Sequence, residues 1–178
     1  MTYVTNAFQH GIGNAQVSSQ WFSRPDDQKF LSLDEMLAFK KVDAGRMTSR
    51  IVDTHKMNVL GDVNENSPTA GEITIEYRDD ANGEHHNAPT NWSFGQLSSL
   101  SGAPAGYLRD LPAPLAADCI QWGLRYNRNR ELVKVYGSQT EGGELRAATG
   151  PDYGRIFDWE ILEPIKQLVD DSGGRWKV

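Results

Sequence analysis

The sequence predicts an α+β domain: a mixed or antiparallel sheet of four to five strands with helices packed on it. Three observations carry that reading. Segments of helical period and short β-branched runs follow one another without a regular βαβ alternation, which argues against a doubly wound sheet. The 178 residues are 38% apolar and 24% charged, enough for one core and a solvated surface. Five Trp, six Phe and six Tyr are more large rings than a disordered chain carries.

Residues 1–30 are rich in Gln, Asn, Ser and Gly and show no period. They read as an irregular N-terminal arm, with Trp21, Phe22 and Phe30 as points of attachment. Residues 31–178 read as one α+β domain. Its first helix starts at Ser32, where Ser32-Leu33-Asp34-Glu35 forms a capping box, Leu31 and Met36 can act as a hydrophobic staple, and Gly45 ends the element. Residues 49–60 read as one strand of mixed alternation. Ile73, Ile75 and Tyr77 alternate with Thr74 and Glu76 as a half-buried strand. Residues 61–71 are a loop by composition, Asp80-Ala81-Asn82-Gly83 is a turn, and 84–90 is either a further short strand or irregular.

A helical region follows. Asn91 or Ser93 caps a short helix carrying Phe94, Leu97 and Leu100, which Gly102 stops. Pro104 suits the first position of a second short helix through Tyr107, Leu108 and Leu111, and Pro112 ends it. Pro114 opens a longer helix. There Leu115, Cys119, Trp122 and Tyr126 recur at i, i+4, i+7 and i+11, widened by Ile120 and Leu124, which predicts the most buried helix of the chain with that stripe inward. Residues 132–136 and 145–148 flank a turn at Gly142-Gly143 as a hairpin. Asp158 caps a last helix with Pro164 inside, where a kink or two abutting turns is expected. Gly173-Gly174 ends it, and Arg175-Trp176-Lys177-Val178 reads as the start of a strand.

The net charge is −6, but it is unevenly spread. Residues 104–134 hold five Lys/Arg against three Asp/Glu and are the only net-basic stretch. The global balance opposes a generic nucleic-acid coat while permitting a local site. One cysteine, Cys119, excludes an internal disulfide framework. No apolar run approaches a membrane span, and the first residues are unlike a secretory signal, with no Lys or Arg before Arg24. The expected compartment is the cytoplasm.

Two segments point to nucleic acid. Arg125-Tyr126-Asn127-Arg128-Asn129-Arg130 with Lys134 is the densest basic cluster, and cations interleaved with a ring suit phosphates and bases. The same arginines also suit a helix C-terminus as plain dipole complements. Gln96 to Leu111 has the rhythm of a helix-turn-helix, with Ser98 four residues before Gly102, Tyr107 as a ring and Arg109 as the base-reading group. The plainer reading is a helical hairpin packed on a sheet.

Other chemistry has weaker support. His85-His86 are adjacent and face apart, so with Asp79, Asp80 and Glu84 they form a solvated loop rather than a metal site. Cys119 sits in an apolar stripe as a small hydrophobe. Gly11-Ile12-Gly13 lacks the third glycine of a dinucleotide loop. Asp152 and Asp158 are a carboxylate pair without defined geometry. No catalytic residue, metal or cofactor is assigned.

Asn91-Trp92-Ser93-Phe94-Gly95-Gln96-Leu97, Gly102 to Leu108 and Leu111-Pro112 resemble the W-x-F-x-Q-L, G-x-P-x-x-Y-L and L-P series of the phage- and plasmid-borne family called domain of unknown function 932. Leu145-Arg146-Ala147 and Tyr153-Gly154-Arg155-Ile156 with Trp159-Glu160-Ile161-Leu162 are similar to that family's second signature. The likeness spans about residues 87–178 and departs from the family where Gly150-Pro151-Asp152 replaces its Ser step. It implies a mobile-element protein corresponding to the N-terminal part of a longer chain, and it implies no activity.

Three functions follow as expectations. The first is non-catalytic action in DNA transactions through Tyr107, Arg109, Arg125, Tyr126, Arg128, Arg130 and Lys134. The second is an acidic interaction module that inhibits a host defence complex, with a host or phage protein as partner. The third is an enzyme with an unannounced site.

Overall fold

The computed structural model describes residues 29–63, 72–78, 83–126, 132–139 and 143–173. Among these are five helices and six strands. In chain order they are α1 (Leu33–Gly45), β1 (Met47–Asp53), β2 (Asn58–Gly61), β3 (Ile73–Arg78), β4 (Glu84–Pro89), α2 (Asn91–Ser101), α3 (Ala105–Arg109), α4 (Ala113–Tyr126), β5 (Leu132–Ser138), β6 (Gly143–Thr149) and α5 (Asp158–Asp171). The class is α+β with a mixed sheet, and the strand number is six rather than four to five. Trp21, Phe22, the turn at 80–82, Asn127 to Arg130 and the expected strand at 175–178 lie outside the described residues.

The sheet order is β1-β5-β6-β4-β3-β2. Only the β4–β6 pair is parallel; the others are antiparallel. The extra strand comes partly from 49–60, which is two strands and not one. Asp53 Oδ1 accepts from the His55 amide at 2.9 Å and starts a 3-10 turn over Thr54–Lys56. That turn carries the chain from one edge strand to the other. Five residue steps reach at most about 18 Å. Five interstrand spacings in a flat sheet cover about 24 Å. The sheet therefore curls so that its edges approach at this corner.

The curl encloses one helical layer. Val52, Met57, Val59, Ile75, Tyr77, Val133, Val135, Leu145 and Ala148 from the sheet meet Leu97, Leu108, Ala116, Ala117, Ile120 and Leu124 from α2, α3 and α4. The Tyr77 hydroxyl donates to Asn87 Oδ1 at 2.7 Å inside this core. Gly137 lies against both, and a Cβ there would come within 2.7 Å of each oxygen.

Strand alternation sends Lys134 and Tyr136 to the other face of the sheet. There the Arg155 guanidinium stands 3.6 Å from the Tyr136 ring centroid, and Phe157 meets the same ring edge-on at 6.0 Å. Arg146 holds Asp43 through both terminal nitrogens and Glu144 through Nε at 3.1 Å. The Asp43 hydrogen bonds push the Arg146 pKa further up.

The start of α1 follows the sequence, whereas the caps of α2 and α5 differ from it: Asp158 is the first residue of α5 rather than its cap. Ser32 Oγ accepts from the Glu35 amide at 3.2 Å, and the Glu35 carboxylate accepts from the Leu31 amide at 3.1 Å. Thr90, not Asn91 or Ser93, caps α2, its hydroxyl accepting from the Ser93 amide at 3.3 Å. Gly102 closes α2 at φ 77° and Gly173 follows α5 at φ 61°, both left-handed. α5 runs through Pro164 as one element and starts with the Phe157 amide donating to Glu160 at 2.6 Å.

Two units divide the chain. Residues 40–160 contain the whole sheet and α2 to α4. The other unit includes residues 29–39 and 161–173. Within it Phe30 packs on Phe39 at 5.3 Å, and Lys166 bridges Asp34 at 2.9 Å.

Candidate nucleic-acid interface

The site is built on α4. Its packed face is Ala116, Ala117, Ile120, Gly123 and Leu124. Leu115, Trp122 and Tyr126 point the other way and are 49%, 67% and 63% exposed. The expected inward stripe is thus largely the outer one, with Cys119 half-buried at its edge. The physical reason is close approach. A Cβ on Gly123 would collide with the Ser101 carbonyl at the end of α2, so only small side chains fit between these helices. Rings the size of Trp122 have no room there and are left outside.

A second face of α4 lies along the edge strand β2. Gln121 Nε2 donates to the Met57 carbonyl at 3.1 Å, and its Oε1 accepts from the Val59 amide at 2.7 Å. The side-chain amide serves as a substitute strand neighbour. One turn on, Arg125 donates to Asn58 Oδ1 at 3.3 Å, which places the guanidinium at the sheet edge. In the same turn Trp122 and Tyr126 pack on each other with ring centroids 4.3 Å apart and planes tilted by 37°. The last turn of α4 therefore presents two exposed rings and one exposed guanidinium together. Rings stack on unpaired bases and the cation attracts phosphate.

The other expected contact residues are dispersed. Tyr107 is 63% exposed on α3. Arg109, also on α3, is turned onto the start of α2. Its Nε donates to Asn91 Oδ1 and one terminal nitrogen to the Asn91 carbonyl, both at 3.0 Å, over the Phe94 ring at 5.0 Å. Lys134 donates to the Tyr153 carbonyl at 2.8 Å on the sheet face away from α2, α3 and α4. Arg128 and Arg130 lie outside the described residues. The structure joins Arg125 and Tyr126 and adds Trp122, which sequence reasoning had placed in the core. The signal for it was present: Ala116, Ala117 and Gly123 mark the close-packed side. The helix-turn-helix reading meets an α3 of only five residues.

The remaining candidates are occupied structurally. His85 stacks on Tyr77 at 5.2 Å, whereas His86 faces Glu76 at 3.2 Å, as adjacent strand positions require. Asp158 pairs with Lys40 at 3.0 Å and Asp152 is exposed. Among the described residues no three of His, Cys, Asp and Glu gather to hold a metal ion. No helix among them is long and apolar enough to cross a membrane. No family model, curated protein or solved structure matches this chain.

Proposed function

We propose that this is a mobile-element protein of the bacterial cytoplasm that binds single-stranded nucleic acid through the last turn of α4. One observation carries the reading: Trp122 and Tyr126 are exposed, in contact with each other, and next to Arg125. Each base stacked on an aromatic side chain contributes about 1–3 kcal/mol, and stacking needs bases that are not already paired. A net charge of −6 leaves little attraction for duplex beyond this local site. The resemblance to the phage- and plasmid-borne family supports the setting.

The test is fluorescence anisotropy of a labelled oligothymidine and of a duplex of equal length. The oligothymidine binds and the duplex binds more weakly. Trp122→Ala weakens the single-stranded complex between about fivefold and a hundredfold. Absence of binding at low salt overturns the reading.

A protein partner is the second reading, because Leu115, Trp122 and Tyr126 form an exposed apolar stripe on α4 beside the exposed Asp118 and Arg125, and exposed Trp and Tyr anchor protein interfaces. A basic host protein captured by the wild type and lost on Trp122→Ala, with no oligonucleotide binding, favours it.

A further inference from the structure

The sheet parts at one place. The β3–β4 ladder stops at the Ile75–Asn87 pair. Beyond it β3 continues along β2 to Ile73, and β4 continues along β6 to Pro89, which has no amide to extend a ladder. A cleft of about 480 Å³ opens there, lined on its apolar side by Ile73, Phe94, Leu108 and Leu111. That volume lies in the range of small-molecule sites, roughly 300–1,000 Å³.

Three charged residues stand at the cleft: Arg109, Glu72 and Glu144. They are not equivalent. Glu144 shares Arg146, at 3.1 Å, with Asp43. Arg109 is held by neutral groups, the Asn91 side-chain oxygen and carbonyl and the Phe94 ring, so its position is fixed while its charge is left for a ligand. One terminal nitrogen of Arg109 has no partner among the described residues, and the Glu72 carboxylate has no cation partner among them. Among the described residues the cleft thus combines one guanidinium without a carboxylate partner, a carboxylate without a cation partner and an apolar wall. A simple anion would meet Glu72, and a simple cation would meet Arg109. A molecule carrying both charges satisfies both.

We infer that this cleft binds a small apolar zwitterion, an apolar or aromatic α-amino acid or a dipeptide built from one. Its carboxylate meets Arg109, its ammonium meets Glu72 and its side chain lies against Phe94, Leu108 and Leu111. This stands apart from the α4 surface and needs no nucleic acid.

The experiment is calorimetric titration of the full chain with four probes: L-phenylalanine, phenylalanyl-phenylalanine, N-acetyl-L-phenylalanine, which lacks the ammonium, and phenethylamine, which lacks the carboxylate. L-phenylalanine or the dipeptide saturates the protein, and whichever binds more tightly identifies the source. Each truncated analogue binds at least about tenfold more weakly, the cost of roughly one lost charged contact. Glu72→Gln removes the preference for L-phenylalanine over its N-acetyl form, and Arg109→Gln removes the preference over phenethylamine. Glu72→Gln leaves folding intact, so it decides the matter should Arg109→Gln unfold the α2–α3 corner. The inference is overturned if neither zwitterion binds more tightly than about 10 mM, or if the truncated analogues bind the wild type equally well.

Discussion

Gly106 and Gly123 both lie inside helices, and the space around each sets opposite expectations for alanine. Around a Cβ on Gly106 there is nothing within 4 Å. Alanine there gains helix propensity alone, so Gly106→Ala stabilises by about 0.5–1 kcal/mol. At Gly123 the same gain is outweighed. The obstacle is the backbone of Ser101 rather than a flexible tip, and overpacking costs about 1–3 kcal/mol. Gly123→Ala destabilises by about 1–2 kcal/mol after the propensity gain is subtracted. Urea denaturation of the two variants checks both signs. Tyr136 makes a pH-dependent case. Burial raises its hydroxyl pKa above the ordinary value, partly offset by the Arg155 and Arg146 guanidinium groups. In the unfolded chain the hydroxyl ionises near pH 10, so unfolding releases a proton above that point. The contribution is complete below about pH 10 and is lost as pH rises through the folded value. Tyr136→Phe therefore flattens the fall in stability above about pH 10, read by thermal unfolding at alkaline pH.

At the scale of elements, the ends were more legible than the faces. The Ser32 to Glu35 box and the glycine at 102 act through neighbours three to five residues away, so the sequence contains both partners. The orientation of α4 does not work that way. Leu115, Trp122 and Tyr126 have a correct helical period, but so do Ala116, Ala117, Ile120 and Leu124, and the choice between the two stripes rests on the close approach of α2. The break inside 49–60 begins at a local Asp53 cap, but which sheet edges its two strands join depends on strands that arrive later in the chain. Gln121 is the clearest such case: a polar residue of unremarkable pattern that closes the edge of β2. Gln121→Ala removes two hydrogen bonds and costs about 1–2 kcal/mol, and the Val59 amide exchanges faster with solvent. Trp122→Ala, at a residue 67% exposed, changes stability by no more than about 0.5 kcal/mol. A loss above about 2 kcal/mol would instead mark Trp122 as a packing residue and remove the support for a binding surface.

For the molecule as a whole, the basic cluster counts for less than its sequence density. Five cations and two tyrosines were expected to act as a group, but Arg109 is held on α3 against the start of α2 and Lys134 lies on the opposite sheet face. What stays with Trp122 is Arg125, with Arg128 and Arg130 next along the chain. Arg125, Arg128 and Arg130 then give three cations to neutralise phosphates. For a single strand the slope of log Kobs against log salt is about −0.7 per phosphate, so it should be no steeper than about −2. Raising salt from about 50 to 200 mM then weakens binding by about twentyfold at most. The rest of the affinity is stacking, which salt screens little, so Trp122→Ala lowers affinity without changing the slope, whereas Arg125→Gln makes the slope shallower by about 0.7. A slope near −5 would require about seven phosphate contacts, more than Arg125, Arg128 and Arg130 supply, and would overturn this three-cation reading of the site.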